Sequence, residues 1–246
     1  MKKILFAIAL AVVATACHTH EGGDVEFGKI DIRVATRSEV SESNENKLVL
    51  SDGLVPKADD LKVEIVGNDN TFAWASLAEF NEAVSGGLKF VAAPYSVTLS
   101  YGEKGAEGWS KPYFEGSTSV DVPMYGLTAE ANVEVALANS IVAIETTEQF
   151  DGYFPQSSFK VKGIEWEADR EEMLFMNAGE VKITCEAVRQ AGGSITTLES
   201  TITLKPATRH TVVFELSTAG NAEVKVVFDG EIVETIELEF ELNENA

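Results

Sequence analysis

From Phe27 onward apolar and polar residues alternate in short runs, the period of a strand with one face in a core and the other in water. The pattern predicts strands at Lys29–Ala35, Lys47–Leu50, Leu61–Val66, Gly87–Val91, Tyr95–Tyr101, Thr118–Val122 and Asn132–Leu137. A second series follows at Ile141–Glu145, Ser158–Val161, Met173–Met176, Val181–Ala187, Ser200–Leu204, Thr211–Leu216, Ala222–Phe228 and Ile232–Leu242. Clusters of Gly, Asn, Asp and Pro separate the runs and mark turns. A helical period appears at Trp74–Val84, where Ser76 stands as N-cap and Glu79 three residues on completes a capping-box spacing. Thr146–Phe154 reads as a place for one more helical turn. Many short strands with turn signals between them predict an all-β chain of sandwiches, with one short helix in the first half, and not a Rossmann or barrel enzyme.

The two series resemble each other. Leu88, Phe90, Ala92, Tyr95, Val97 and Leu99 recur at one constant offset as Leu174, Met176, Ala178, Val181, Ile183 and Cys185. Each half continues with an alternating strand (Val120 and Val122; Ile202 and Leu204), a Pro-containing loop, and a further strand after a threonine (Thr128; Thr208). The expectation is two tandem sandwiches of similar topology, residues 27–137 and 138–246, each long enough to bury a core.

The first residues have a different logic. Lys2 and Lys3 precede an apolar stretch from Ile4 to Ala14, and Ala14-Thr15-Ala16 sets small residues before Cys17. This is the anatomy of a secretory leader, too short to span a membrane as a helix. A cysteine at that place is the acceptor of a diacylglycerol in bacterial lipoproteins, although Ala14 stands where leucine is usual. Residues 1–16 are thus read as a lipoprotein signal peptide, Cys17 as the lipidated N-terminus, and residues 17–26 as a tether. His18 and His20 fall in that tether and are not read as a metal site. The other reading is an ordinary leader, which would leave Cys17 free to pair with Cys185.

The 246 residues carry a net charge of −21, spread along the chain. No basic patch is present to neutralise phosphates, so nucleic acid is excluded as a partner. The same charge disfavours contact of the protein surface with anionic lipid, leaving the acyl chains as the membrane anchor. Cys185 lies on the apolar face of Val181-Lys182-Ile183-Thr184-Cys185 and is expected as a small core residue. His210, the histidine outside the tether, is expected to face solvent at a strand start. No nucleophile elbow, zinc-protease helix motif or phosphate loop occurs. The chain is therefore read as a non-enzyme without cofactor. Gly67-Asn68-Asp69-Asn70 and Ala58-Asp59-Asp60 offer oxygen ligands, but lack the spacing of a calcium loop and are read as plain turns.

The sharpest local feature is Lys111-Pro112-Tyr113-Phe114-Glu115-Gly116, preceded by Trp109. Trp109, Tyr113 and Phe114 would make a stacking platform for a sugar ring, with Lys111 and Glu115 bonding hydroxyls. Alternatively Pro112 fixes the backbone, Tyr113 or Phe114 plugs the end of a sandwich, and Gly116 permits a turn. Trp74 and Trp166 are expected at a core edge or interface.

The runs Trp74–Phe80, Leu88–Val97 and Trp109–Gly116, with Ala138–Glu145 and Glu148–Phe154, resemble a family of Bacteroidetes surface lipoproteins of unknown function that carries a Lys-Pro-Tyr-Phe-x-Gly motif. The resemblance extends from about Gly28 to Phe228. It implies tandem transthyretin-like sandwiches similar in build to fimbrillin-type proteins, and no known activity. It also implies a place to look for processing. Fimbrillin-type chains are cut at an arginine near the N-terminus, which removes the first strand and lets the next subunit fill the groove. Ile30, Ile32 and Val34 alternate as such a strand would, and Arg37 follows in a Thr-Arg-Ser-Glu loop. The run Ile232–Leu242 alternates apolar with acidic residues, as a last strand or as a donor strand. The expectation is a lipid-anchored, non-catalytic protein on the outer membrane facing the exterior. Its role would be adhesive or fimbria-like, with self-assembly; the alternative is a glycan-binding lipoprotein of a nutrient-uptake system.

Overall fold

The computed structural model describes residues 26–42, 46–190, 193, 195–217 and 223–238. Cys17, His18 and His20 lie outside them, as do residues 239–242 of the expected last strand. The first half contains β1 (Phe27–Thr36), β2 (Glu39–Glu42), β3 (Lys47–Val49), β4 (Lys62–Gly67), β5 (Asn70–Trp74), α1 (Leu77–Ser85), β6 (Phe90–Val91), β7 (Pro94–Tyr101), β8 (Gly108–Trp109), β9 (Phe114–Asp121) and β10 (Thr128–Leu137). The second contains β11 (Ser140–Thr146), α2 (Glu148–Tyr153), β12 (Gln156–Val161), β13 (Ile164–Trp166), β14 (Leu174–Met176), β15 (Gly179–Val188), β16 (Ile195–Leu204), β17 (Thr208–Ser217), β18 (Glu223–Phe228) and β19 (Glu231–Glu237). The protein is all-β with short helices.

The predicted alternation becomes burial. On β10 the side chains of Ala129, Ala131, Val133, Val135 and Leu137 are buried, with Glu130, Asn132 and Glu134 between them in solvent. On β15 the buried set is Val181, Ile183, Cys185 and Ala187. In the first half the strand order is β5-β4-β7-β9-β10-β1-β6. β9 meets β10 only through Phe114–Leu137 and Glu115–Ala136, so the sheet folds over at that corner and its two layers enclose one core. The second half has one layer in the order β13-β12-β15-β16 and another running β19-β18-β17-β11-β14-β8. The order β5-β4-β7-β9 thus recurs as β13-β12-β15-β16, and β10-β1-β6 as β17-β11-β14. Each half carries a parallel pair, β1 with β10 and β11 with β17. Parallel neighbours require long crossovers, here supplied by the rest of each half.

The two cores share a wall. On β11, Ile141 joins the first core and Val142 the second; on β14, Phe175 joins the first while Leu174 and Met176 join the second. Both strands are therefore buried on both faces, and β11 reads as a continuous buried run from Ser140 to Ile144 instead of alternating. The second core is built round Phe150, whose ring lies 5.0 Å from Phe154 and 5.8 Å from Phe214.

Several expected boundaries move. The helix starts at Leu77, not Trp74: Ser76 caps it by accepting a bond from the Glu79 N–H at 3.1 Å, and Glu79 reaches back to the Ala75 N–H at 3.1 Å. Trp74 instead ends β5, half-buried, with its ring 5.0 Å from Phe80. β5 escaped the sequence reading because Asn68 and Asp69, both at positive φ, close a tight hairpin from β4. That turn is the Gly67–Asn70 segment weighed for calcium. Ala58–Asp60 is a single 3-10 turn, and among the described residues no three His, Cys, Asp or Glu side chains come together to hold a metal ion. β2, β8 and β13 were also missed, each too short to show a period. Among the described residues no helix is long and apolar enough to cross a membrane.

Candidate functional site

The conspicuous Trp-x-Lys-Pro-Tyr-Phe segment lies in an arm, residues 102–113, that leaves the first half between β7 and β9 and crosses to the second. Its short strand β8 adds to the edge of β14, pairing Trp109 with Leu174 and Gly108 with Phe175. Glu107 anchors the approach. Its carboxylate takes the Lys162 ammonium at 2.8 Å and the Asn177 backbone N–H at 3.2 Å, while the Asn177 side chain donates to the Gly105 carbonyl at 2.9 Å. Burial pushes the Glu107 carboxyl up, but Lys162 and the Asn177 N–H outweigh it and hold the group below its ordinary value. Trp109 then packs its ring 5.2 Å from Trp166, receives the Arg170 guanidinium 4.9 Å above its face, and donates its indole N–H to the Glu165 carbonyl at 3.2 Å.

The next residues bond to the turn joining the halves. Asn139, 1% exposed, sits between β10 and β11. Its Oδ1 accepts the Tyr113 N–H at 3.2 Å and its Nδ2 donates to the Lys111 carbonyl at 2.9 Å; the Ala138 N–H donates to the Tyr113 carbonyl at 2.7 Å. From the other side the Ala207 N–H donates to the Asn139 carbonyl at 3.0 Å, and Ser140 Oγ donates to the Lys205 carbonyl at 2.7 Å. The Ala207 carbonyl accepts the Ser41 N–H at 3.0 Å, tying in β2, which runs parallel to the start of β17. Asn139 is thus the centre of a joint that draws in the arm, the β16–β17 loop and, through Ala207, β2.

This arrangement takes the expected ring platform apart. Phe114 is fully buried in the first core and Tyr113 is 8% exposed, while Trp109 is committed to Trp166. The Tyr113 hydroxyl donates to Glu115 at 2.8 Å; burial, then the Glu115 carboxylate, push its pKa far up. Glu115 is held below its ordinary value, chiefly by its bond from Lys104, against burial. Gly116 permits no turn: it lies within β9, and a Cβ there would stand 2.1 Å from the Glu134 carbonyl oxygen of β10. Glycine is needed where the strands cross this closely.

Of the motif, Lys111 remains available. It lines an open groove of about 640 Å³ between the arm and the segment before β4, together with Asp60, Lys62, Tyr101, Glu103 and Pro112. In the sequence Tyr101 and Glu103 are not singled out and Asp60 reads only as part of a turn; the groove forms because the fold brings the segment before β4 against the end of β7 and the arm.

The remaining candidates are buried or peripheral. His210 does not face solvent; it is 1% exposed. Nε2 accepts the Lys205 N–H at 2.8 Å, which leaves Nδ1 to donate to Asp229 at 2.6 Å, and the ring stacks 5.2 Å from Phe228. A polar strand start misled the reading because Asp229, which the ring needs, comes from the far hairpin. Cys185 is fully buried, and burial, then Glu186, push its thiol to about 12. Arg37 lies just past β1, exposed, with its guanidinium on Glu134 and its N–H donating to the Val135 carbonyl at 2.8 Å.

Comparison with known proteins places the chain in a family. The family described as "Domain of unknown function (DUF4493)" matches residues 26–244, and the chain belongs to it. No curated protein matches the chain. Solved structures are similar at low identity. One, from Bacteroides eggerthii and provisionally named a cell adhesion protein, is 9% identical over 89% of this chain and 99% of its own, with a TM-score of 0.43. Another, from Bacteroides thetaiotaomicron and provisionally named an adhesin, is 8% identical over 89% and 100%, with a TM-score of 0.40. A fimbrial protein from Bacteroides ovatus is 8% identical over 78% of this chain and 49% of its own, with a TM-score of 0.36.

Proposed function

We propose that this DUF4493 chain is a non-catalytic bacterial cell-surface protein, anchored in the outer membrane through lipid on Cys17, with an adhesive or fimbria-like structural role. The observation that carries the reading is the setting of β1. It is the first strand of the body, held between β10 along its length and β6 at its start, and the exposed Arg37 follows directly. Cleavage there would free β1 from the rest of the chain. The vacated edge of β10, with Val133 and Val135 beneath it, would then accept a strand from another copy. The Ala14-Thr15-Ala16-Cys17 sequence supports the anchor. The reactive side chains of the body serve the fold: His210 in its bond to Asp229, Cys185 within the second core.

The test is an unboiled gel of intact cells, immunoblotted with and without external protease. A high-mass ladder removed by protease is expected. Protein untouched by protease, or a chain that is not cut at Arg37 by an Arg-specific protease or stays monomeric after cutting, overturns the reading.

A second reading, glycan binding, is favoured by the groove at Lys111. The exposed Tyr101 ring would take the C–H face of a sugar, with Asp60, Lys62 and Glu103 reaching its hydroxyls. It predicts that Tyr101→Ala abolishes glycan-array binding without changing the melting curve. Unaltered binding in that variant removes it.

A further inference from the structure

One pole of the first half carries apolar side chains that no described residue covers. Phe27 is 43% exposed, Met124 51%, Tyr125 81% and Leu127 60%. They come from the start of β1 and the β9–β10 connection, and backbone bonds hold them together. The Gly126 N–H donates to the Phe27 carbonyl at 2.7 Å, and the Lys29 N–H donates to the Leu127 carbonyl at 2.9 Å.

Met124–Leu127 is a tight turn closed by the Leu127 N–H on the Met124 carbonyl at 3.3 Å, with Tyr125 at φ 60° and Gly126 at φ 70°. The left-handed region disfavours a bulky side chain and suits Asn, Asp or Gly. Other turns of this chain with such paired angles begin their pair with a polar residue: Asn68, Lys162 and Asp229. Here a tyrosine takes the strained place and points into solvent, flanked by methionine and leucine. Strain kept for an outward-facing aromatic indicates a surface built for contact.

The occupant follows from where the chain emerges. Glu26, whose carbonyl accepts the Ala92 N–H at 2.8 Å, sits at this same pole and leads back to Cys17 nine residues earlier. At full extension those residues span about 30 Å, so a lipid on Cys17 holds this pole close to the membrane. With a net charge of −21 the protein gains nothing from anionic headgroups. Amphipathic tyrosine beside Phe, Met and Leu suits the boundary between headgroups and acyl chains. We propose that Phe27, Met124, Tyr125 and Leu127 form a bilayer-contacting tip that seats the first half on the membrane surface and sets the orientation of the body. The inference rests on the Cys17 anchor of the proposed function and concerns the chain before any cut at Arg37, since that cut would remove Cys17 and Phe27 together with β1.

The experiment separates the two. The chain from His18 onward, with an N-terminal histidine tag, is held on phosphatidylcholine–phosphatidylethanolamine vesicles containing a nickel-chelating lipid. Tethering then does not depend on acylation, which is read separately by fatty-acid incorporation at Cys17 in cells. An environment-sensitive fluorophore is placed on Tyr125→Cys or, as control, on Ile195→Cys, an exposed apolar position of the second half (72% exposed). Buried Cys185 does not compete for the label. At position 125 the emission should shift to the blue, gain at least about twofold in intensity, and be quenched by nitroxide lipids; at 195 it should stay as in water. Adding Met124→Asp and Leu127→Asp to the Tyr125→Cys chain should abolish the change. Equal signals at the two positions on vesicles overturn the proposal. So does shielding of position 125 that appears without vesicles as protein concentration rises, which would make a second copy the occupant.

Discussion

Replacing Asn139 by leucine, which keeps the branch at Cγ but carries no polar atom, tests whether the joint between the halves is held by its side-chain amide. The substitution removes the acceptor of the buried Tyr113 N–H and the donor to the Lys111 carbonyl. A buried polar group left without a partner costs about 1–3 kcal/mol. Two such groups, partly offset by the apolar replacement, give a loss of about 2–4 kcal/mol. In a chain of this length that lowers Tm by roughly 5–15 °C. Urea unfolding should be followed by tryptophan fluorescence and far-UV circular dichroism together. Trp109 lies on the arm that Asn139 holds and packs on Trp166, so its emission reports the joint, while dichroism reports the sheets. Because the cores share the β11–β14 wall, both signals should move to lower urea together. A loss below about 0.5 kcal/mol would refute the reasoning, since the two backbone groups would then have found other partners.

Three further outcomes are expected. Gly116→Ala should destabilise the chain by about 2–3 kcal/mol, because the new methyl meets the β10 backbone and not a flexible side chain; an unchanged denaturation midpoint would contradict the close crossing. Glu107 titrates below its ordinary value in the folded chain, so its contribution is present above the unfolded pKa and lost as pH falls through the lower folded one. Glu107→Gln should therefore lower stability by about 1 kcal/mol at neutral pH and show a smaller difference from the parent in acid, measured by urea midpoints across pH; a constant difference would exclude the ionised contact. In a Cys17→Ser chain the remaining thiol, Cys185, buried with its pKa raised to about 12, should resist an aromatic disulfide reagent until guanidinium unfolds the protein; rapid reaction of the native chain would show that the second core opens.

The candidate site was legible in part. The Trp109–Gly116 run stands out by its aromatic density, but density does not say which way rings point. Phe114 and Tyr113 face the core because β9 starts there, and Trp109 faces Trp166 because β8 joins a sheet of the other half. Asn139 and Ser140, a polar pair between two apolar strands, were a readable sign of a buried joint. His210 was misplaced because its partner Asp229 lies across a hairpin that local pattern does not report.

What the sequence by itself determined was the all-β class, nearly every long strand with its buried face, the N-cap of α1, and a repeat whose strand order the structure shows twice. These follow from period-two alternation and cap chemistry, which are local. Only the tertiary structure decided the parallel pairs β1–β10 and β11–β17, the arm that lends β8 to the other half, and the wall of β11 and β14 between two cores. Each is a choice of partner made across long stretches of chain, and backbone hydrogen bonding carries no residue label from which it could be read. The double burial of β11 erased the alternation itself, since a strand with a core on each face has no polar side.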